Sequence, residues 1–335
     1  MSSKNNGFAY SKTPERFVAE FKDGKWSQGV MSSDENIVLN ESACVLQYAQ
    51  TCFEGLKAYR TADKKAVLFR PDLNEARFKD SCARMMIPPL ADGVFVDAVK
   101  KTAKANIDYI PSYEDGGSLY LRPFAFGKDA VMGVKPASEY EFRVFASPVG
   151  TYFGDGFKAL KLRVSDFDRA APHGTGNIKA GLNYAMSLYA ISDAHEKGFD
   201  ENVYLDSSTR TYIDETGGAN IIFITKDGEL VTPKSDTILP SVTRRSLVYV
   251  AEKYLGIKAQ ERPVKLEELS EFDECGLCGT AAVISAVGSI DDHGKVYKFR
   301  TKQDKSDSVI DRLLHTLLDI QHGIIEAPED WIVEI

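Results

Sequence analysis

The chain has 335 residues and a formal net charge of −8, with 43% hydrophobic and 27% charged residues. This composition is typical of a soluble globular protein, and the negative charge argues against nucleic acid or an anionic membrane as a general partner. No apolar run reaches the roughly 18 residues of a membrane-spanning helix. The polar N-terminus has no apolar signal core. We therefore expect a cytoplasmic protein with no nucleic-acid and no membrane partner.

The first half of the sequence predicts a compact domain of strands and helices. It predicts an arm with short strands in residues 1–40, followed by a hairpin of 53–60 with 66–69. It then predicts one helix from 71 onward, a second helix at 93–110, and strands at 118–126 and 140–146. Asp72 with Glu75 is typical of a capping box. Because a length above roughly 250–300 residues favours two domains, we place the limits at the Gly- and Pro-rich stretch that follows. The predicted domains are 1–147 and 159–335, with a linker at 148–158.

The second half predicts helices and strands in an irregular order. Strands are expected at 160–164, 202–206, 220–225 and 280–287, and helices at 182–197 and 243–255, ended by Gly198 and Gly256. Helices and strands do not alternate strictly, which favours an α+β fold over a doubly wound sheet.

One lysine, Lys179, lies among small and neutral residues in the stretch 174–184. No acid close in sequence holds its amine as a surface ammonium, so it is suited to desolvation, which favours the neutral, nucleophilic form. Such lysines attack carbonyl groups, including that of pyridoxal phosphate. The alternative is an ordinary lysine in a flexible Gly-rich loop.

Residues Ser241-Val242-Thr243 precede a strong helical pattern. The exposed N–H groups and the positive dipole end of such a helix can bind an anion. A serine or threonine at this position is more often a simple N-cap. The motif by itself leaves both interpretations open.

The five cysteines are scattered and odd in number, which suits a reducing compartment. Cys275 and Cys278 have the CxxC spacing of a redox pair or of half a metal site. No second CxxC and no clustered histidines accompany them, so no metal is expected.

Seven motifs, in order, resemble those of branched-chain amino-acid aminotransferases. They are Phe53-Glu-Gly-Leu-Lys-Ala-Tyr-Arg60, Leu68-Phe-Arg-Pro71 with Arg77, Leu119-Tyr-Leu-Arg-Pro123, the Lys179 stretch, Glu215-Thr-Gly-Gly-Ala-Asn-Ile-Ile-Phe223, Leu239-Pro-Ser-Val-Thr-Arg-Arg-Ser-Leu247 and Gly279-Thr-Ala281. The resemblance implies pyridoxal phosphate (PLP) fold type IV, with a small N-terminal α/β domain and a larger domain built around a β pseudo-barrel.

The resemblance also implies a homodimer that uses PLP to transfer the amino group of leucine, isoleucine or valine to 2-oxoglutarate. The partners would be small amino acids and 2-oxo acids. Two alternatives stay open: another enzyme of this fold, a D-amino-acid aminotransferase or an aminodeoxychorismate lyase, and a non-catalytic protein that binds small molecules. An intact Lys179 with Glu215 and Arg77 argues against the second.

Cofactor-binding roles follow from the resemblance, residue by residue. Lys179 is similar to the catalytic lysine that holds the cofactor aldehyde and moves the proton, and Glu215 to the acid that faces the pyridine nitrogen. Tyr184 resembles the donor to the ring oxygen. The residues that resemble the phosphate contacts are Arg77, Val242, Thr243 and Thr280.

Substrate-binding roles are implied in the same way. Tyr48, Phe53 and Tyr120 resemble aromatic pocket walls, and Arg122 resembles the cation that meets the distal carboxylate of glutamate. The backbone of Thr280 and Ala281 would bind the α-carboxylate. Arg169 resembles an arginine near the site, and the role of His173 is open.

Overall fold

The computed structural model describes residues 8–150, 158–304 and 307–335, so the start of the predicted arm and most of the predicted linker lie outside the described residues. The α-helices are α1 (Cys44–Tyr48), α2 (Pro71–Arg84), α3 (Val94–Ala105), α4 (Gly181–Glu196), α5 (Val242–Lys253) and α6 (Val309–Gln321). Short 3-10 helices lie at Ile107–Tyr109 and Leu266–Glu271. None of the described helices combines the length and the apolar character that a membrane crossing requires.

The strands come in two groups along the chain. The first is β1 (Arg16–Lys22), β2 (Lys25–Trp26), β3 (Val30–Ser32), β4 (Thr51–Phe53), β5 (Leu56–Arg60), β6 (Ala66–Phe69), β7 (Ser118–Gly127) and β8 (Tyr140–Val149). The second is β9 (Leu160–Val164), β10 (Glu201–Leu205), β11 (Ile213–Thr216), β12 (Asn220–Thr225), β13 (Leu230–Pro233), β14 (Ala259–Arg262), β15 (Phe272–Gly279), β16 (Val283–Asp292), β17 (Lys295–Lys298) and β18 (Ile332–Glu334).

The chain packs as two compact units that are not continuous in sequence. Unit 1 comprises Met1–Asp155, Ile178–Leu182 and Ile320–Ile335, and unit 2 comprises Gly156–Asn177 and Asn183–Asp319. The end of the chain groups with unit 1 because β18 pairs with β6. The domain limits predicted from the sequence, 1–147 and 159–335, are each continuous along the chain and stay a prediction.

Unit 1 is built on a nine-stranded sheet with the order β18-β6-β5-β7-β8-β1-β2, to which β3 and β4 attach through β1 and β7. Helices α2 and α3 pack on it through three phenylalanines. The ring centroids of Phe78 and Phe95 are 5.2 Å apart, and Phe142 of β8 lies 5.5 Å from Phe78. This aromatic core fixes the position of α2, which carries Arg77.

The predicted capping box of α2 is wrong. The N-cap is Arg70, which has a left-handed backbone conformation and no side-chain cap, and Pro71 occupies the first helical position. Asp72 therefore lies inside the first turn, where it interacts favourably with the helix dipole. Glu75 accepts a hydrogen bond from the N–H of Gly93, at the start of α3, at 2.8 Å.

Unit 2 is built on a second nine-stranded sheet with the order β11-β10-β9-β16-β15-β12-β13-β14, and β17 pairs with β16. Its apolar core includes Leu162, Ile221, Phe223 and Val287. The register between β10 and β11 shifts between the pairs Val203–Thr216 and Leu205–Ile213. One residue of β10, Tyr204, thus faces two residues of β11, Asp214 and Glu215.

Candidate active site

Lys179 is held by its backbone within unit 1. Its N–H donates to Ser81 Oγ of α2 at 3.0 Å, and its carbonyl accepts the N–H of Phe53 at 3.0 Å. The next residue, Ala180, forms an antiparallel bridge with Cys52. The Lys179 Nζ lies 4.8 Å from the centroid of the Phe53 ring. These backbone contacts hold the predicted loop against β4 and α2, which limits the positions that the amine can reach.

Arg77 is buried in unit 1 and forms a two-point ion pair with Glu54. The Nε–Oε1 distance is 2.7 Å and the Nη2–Oε2 distance is 2.8 Å. Glu54 has no exposed surface and also accepts a hydrogen bond from Asn74 Nδ2 at 2.7 Å. Such paired contacts fix the plane of a guanidinium. Arg77 is therefore rigidly oriented.

Phe53, Tyr120 and Arg122 come together on unit 1. The Arg122 guanidinium lies 4.8 Å from the ring centroid of Phe53 and 5.2 Å from that of Tyr120, and its Nη2 donates to the Tyr120 hydroxyl at 3.0 Å. Gly55 makes room for this arrangement, because a Cβ there would lie 2.0 Å from the Tyr120 hydroxyl. Tyr48 ends α1, is partly exposed and donates to the Met132 carbonyl at 2.7 Å.

Glu215 lies in a buried polar cluster of unit 2. Its Oε1 is 2.6 Å from Arg169 Nη2 and accepts the N–H of Leu239 at 2.9 Å, and its Oε2 accepts a hydrogen bond from Asn220. Burial raises the pKa of Glu215, and the positive charge of Arg169 opposes this increase. Leu239 begins the segment that leads into α5, so the same carboxylate fixes the approach to that helix.

The start of α5 carries two of the predicted phosphate contacts. Ser241 is a simple N-cap, since its Oγ accepts the N–H of Arg244 at 3.1 Å. Helix geometry leaves the N–H groups of Val242 and Thr243, the first two helical residues, without an acceptor inside the helix. The serine therefore fits the N-cap interpretation, while these two N–H groups suit an anion.

Thr280 and Ala281 lie in the turn between β15 and β16, outside the strand that the sequence predicted from 280. The turn leads into Val283, whose φ of 61° is unusual for a β-branched residue. Such strain persists only where surrounding structure imposes it, and it is concentrated at functional sites.

The remaining sequence candidates are more dispersed. Tyr184 is half-buried in the first turn of α4, and His173 is exposed. Cys275 and Cys278 lie three residues apart on β15, so their side chains point to opposite faces of the sheet. Burial raises the pKa of the Cys278 thiol to about 12. These two cysteines are therefore unsuited to act as a redox pair or as shared metal ligands.

Sequence reasoning missed the partners of the predicted residues. Glu54, which holds Arg77, lies between the apolar strand ends Phe53 and Leu56, and an acid in such surroundings is almost never buried without a partner. That signal could have found it. The pairing of Arg169 with Glu215 joins residues far apart in sequence and has no comparable local signal, and Asn220 lies in a quoted motif without a predicted role.

The arrangement of unit 2 fits PLP by its donor set. A carboxylate offers about four acceptor positions, and Arg169, Leu239 and Asn220 use three at Glu215. One position is left for a protonated pyridine nitrogen. The α5 N–H groups fit a phosphate in the same way.

Comparisons with known proteins agree with this chemistry. The family model of amino-transferase class IV matches residues 51–290. The branched-chain-amino-acid aminotransferases of Helicobacter pylori J99 and Haemophilus influenzae are 46% and 45% identical to the chain; the matches cover 99% of it and 97% and 98% of those proteins. The solved structure of the branched-chain amino acid aminotransferase from Escherichia coli aligns with a TM-score of 0.78 at 27% identity, over 95% of this chain and 98% of that one.

This likeness confirms the expected fold. It is an α+β protein of the class IV aminotransferase type, with the pseudo-barrel in its second half. The matching family is PLP-dependent, which agrees with the predicted cofactor. Because the family model covers most of the chain and the relatives match it along nearly its whole length, the chain belongs to the amino-transferase class IV family.

Proposed function

We propose that the protein is a PLP-dependent aminotransferase that moves the amino group of L-leucine, L-isoleucine or L-valine to 2-oxoglutarate, giving branched-chain 2-oxo acids and L-glutamate. The names of its full-length relatives support this activity. The observation that carries it is the grouping of Lys179 and Arg122 around Phe53. It combines a primary amine, an aromatic wall and a guanidinium within one unit.

The bound cofactor supplies a ring that accepts electrons when a Cα–H bond breaks. Lys179 would hold the cofactor aldehyde and, once its amine is released, carry the proton between Cα and the cofactor. Glu215 would keep the pyridine nitrogen protonated, and Tyr184 would donate to the ring oxygen. Arg77, Val242, Thr243 and Thr280 would bind the phosphate.

A transaminase pocket must accept a branched apolar side chain and the carboxylate of glutamate in turn. Tyr48, Phe53 and Tyr120 would supply apolar wall, and the Arg122 guanidinium would pair with the distal carboxylate. The N–H groups of the turn at Thr280 and Ala281 would bind the α-carboxylate. The half-exposed Arg122 is available to a ligand in a way that the buried Arg169 is not.

We further infer a homodimer that works in the cytoplasm. Apolar side chains near Tyr48 are exposed on unit 1, with exposed fractions of 59% for Leu46, 87% for Met132 and 89% for Val134. A second copy of the chain would remove this surface from water. The described cysteines are free thiols, which suits a reducing compartment. Sedimentation that shows an active monomer would contradict the dimer.

The activity is tested by half-reactions of the PLP-loaded protein with single L- and D-amino acids, followed by absorbance. We expect L-leucine, L-isoleucine, L-valine and L-glutamate to react. A response to D-amino acids alone would favour a D-amino-acid aminotransferase, and the absence of any response would favour a binding protein. Borohydride reduction and peptide mapping should place the labelled lysine at Lys179.

A further inference from the structure

A second buried acid, Asp214, precedes Glu215 on β11. The two are 4% and 3% exposed. Regular strand alternation would direct neighbouring side chains to opposite faces. The register shift opposite Tyr204 breaks this alternation, and the electrostatic influence of Arg169 reaches both carboxyls. The irregular strand thus holds two neighbouring acids in the buried interior of unit 2, one of them in an ion pair with Arg169.

Thr237 joins the members of this cluster. Its carbonyl accepts from Arg169 Nη2 at 2.5 Å, and its hydroxyl donates to Asp214 Oδ2 at 2.6 Å. A donated hydrogen bond favours the ionised carboxylate. Burial nevertheless raises the pKa of Asp214, so the protein bears a cost for holding this acid here.

Two atoms of the cluster reveal a further cost. Asp214 Oδ1 and Arg169 Nε are buried and make no hydrogen bond within the described ranges of the chain. An unpaired buried polar atom destabilises the folded state, because it has lost its hydrogen bonds to water without replacing them. A cluster selected for stability alone would contain an apolar residue or a complete pair at this position.

Three further titratable groups, those of Arg244, Asp206 and Cys278, lie near the cluster. Arg244 acts on Glu215, but its Nη2 pairs with Glu261 at 3.4 Å. Asp206 acts on Asp214, but it accepts the backbone N–H groups of its own turn, including that of Tyr212. The Cys278 thiol is neutral because burial raises its pKa. When both are ionised, Asp214 and Glu215 together carry one negative charge more than Arg169 compensates.

We propose that Asp214 is a positioning residue that keeps the ring nitrogen of the cofactor protonated by acting through Glu215 and Arg169. With Arg169 alone, Glu215 would belong to a neutral ion pair and would attract a pyridinium weakly. Asp214 supplies the excess negative charge that compensates for Arg169. This inference rests on the proposed function, since it concerns the same cofactor.

The test follows the ring nitrogen directly, by 15N NMR of the holoenzyme loaded with 15N-labelled PLP. We expect Asp214→Asn to lower the pH at which this nitrogen loses its proton by at least about one unit, the usual effect of removing a nearby opposite charge. Asp214→Glu should restore most of the wild-type value. The kcat for leucine should fall about tenfold or more in Asp214→Asn, while KM changes little.

A matched control is Asp168→Asn, which removes the same charge from an exposed acid of unit 2 that pairs with Arg210. It should leave the nitrogen titration unchanged. If Asp214→Asn does not fold, Thr237→Val removes only the hydroxyl that stabilises the ionised Asp214 and should shift the titration in the same direction by less. Equal titrations of wild type and Asp214→Asn, or of wild type and Thr237→Val, would overturn the role of Asp214. A wild-type protein that binds no PLP would instead contradict the proposed function.

Discussion

Two arginines, one in each unit, show how differently the same side chain is used. Arg169 of unit 2 is buried, ion-paired with Glu215 and hydrogen-bonded to the carbonyls of Gly176 and Thr237. Arg122 of unit 1 lies against two aromatic rings and donates to one neutral hydroxyl. Within the described part of the chain, no carboxylate lies at ion-pair distance from Arg122, and its Nε is buried without a partner.

The difference separates a charge that organises the protein from a charge that can bind a ligand. A buried pair loses several kcal/mol when one partner is removed, because the other charge is left uncompensated. A guanidinium over aromatic faces gains about 0.5–2 kcal/mol from those rings and keeps its capacity for a carboxylate. Variants of the two regions should therefore fail in different ways.

The largest expected effect is that of Lys179→Ala, because the proposed function needs this amine in every turnover, even when both arginines are intact. We expect loss of turnover, while the thermal unfolding transition stays near that of wild type, since the backbone hydrogen bonds to Ser81 and Phe53 are retained. Steady-state assays and calorimetry measure the two quantities. Lys161→Ala, an exposed lysine of β9, is the control and should stay active. Substantial turnover in Lys179→Ala would rule out the assignment.

The second-largest effect is expected for the buried arginine of unit 2. Arg169→Met leaves two buried carboxyls without their cation, and we expect a loss of about 3–5 kcal/mol in the free energy of unfolding. Arg122→Leu, with no ion pair to break, should lose far less in the same urea titration.

The loss in Arg169→Met should depend on pH. Burial raises the pKa values of Asp214 and Glu215 in the folded state, and removing Arg169 raises them further. The contribution of such acids to stability is present at low pH and is lost as the pH rises through their folded pKa values. The deficit should therefore be greatest at neutral pH and shrink in acid. A deficit independent of pH would contradict the electrostatic role.

The third effect is expected for Arg122 of unit 1 and concerns substrate selectivity. Arg122→Leu removes the only proposed partner of the distal carboxylate, and a hydrogen bond to a charged group contributes roughly 1.5–3 kcal/mol. The kcat/KM for glutamate and 2-oxoglutarate should fall roughly 10- to 150-fold relative to that for leucine. Arg143→Leu, on the neighbouring strand, is the control and should affect both substrates alike. Equal losses in Arg122→Leu would mean that Arg122 only supports the strand.

Elements specified by neighbouring residues could be predicted from the sequence, and elements that depend on contacts between distant residues could not. Strands β9 and β12 match their predicted limits because local patterns specify them. Apolar and charged residues alternate in β9, and β12 is a short continuous apolar run. Helix α5 was also predicted closely, and Gly256, which follows it, has a positive φ. Helix α6 was not predicted. The N–H groups of Val309 and Ile310, at its start, donate to Glu274 of a distant strand.

The candidate site divides in the same way. Motifs marked Lys179, Glu215 and Arg122, because each lies in a short recognisable run of residues. Glu54 and Asn220 also lie in these motifs, but their contacts with Arg77 and Glu215 depend on strand pairing and on helix packing, which short motifs do not encode. The register shift opposite Tyr204 depends on the pairing of β11 with β10, which the residues of β11 alone do not specify.

The smallest effect is expected at the start of α5, where a side chain caps the helix and backbone N–H groups are proposed to bind the phosphate. Ser241→Ala removes the cap on the Arg244 N–H, and we expect a loss of about 0.5–2 kcal/mol in the free energy of unfolding. The N–H groups of Val242 and Thr243 keep their direction as long as the helix is formed, so the Kd for PLP should change by about twofold or less, well under the tenfold that corresponds to about 1.4 kcal/mol. Urea titration and PLP titration give the two values, and Ser241→Asp, which retains a capping oxygen, should recover the stability. A large loss of PLP affinity with little loss of stability would show that the Ser241 hydroxyl itself binds the phosphate.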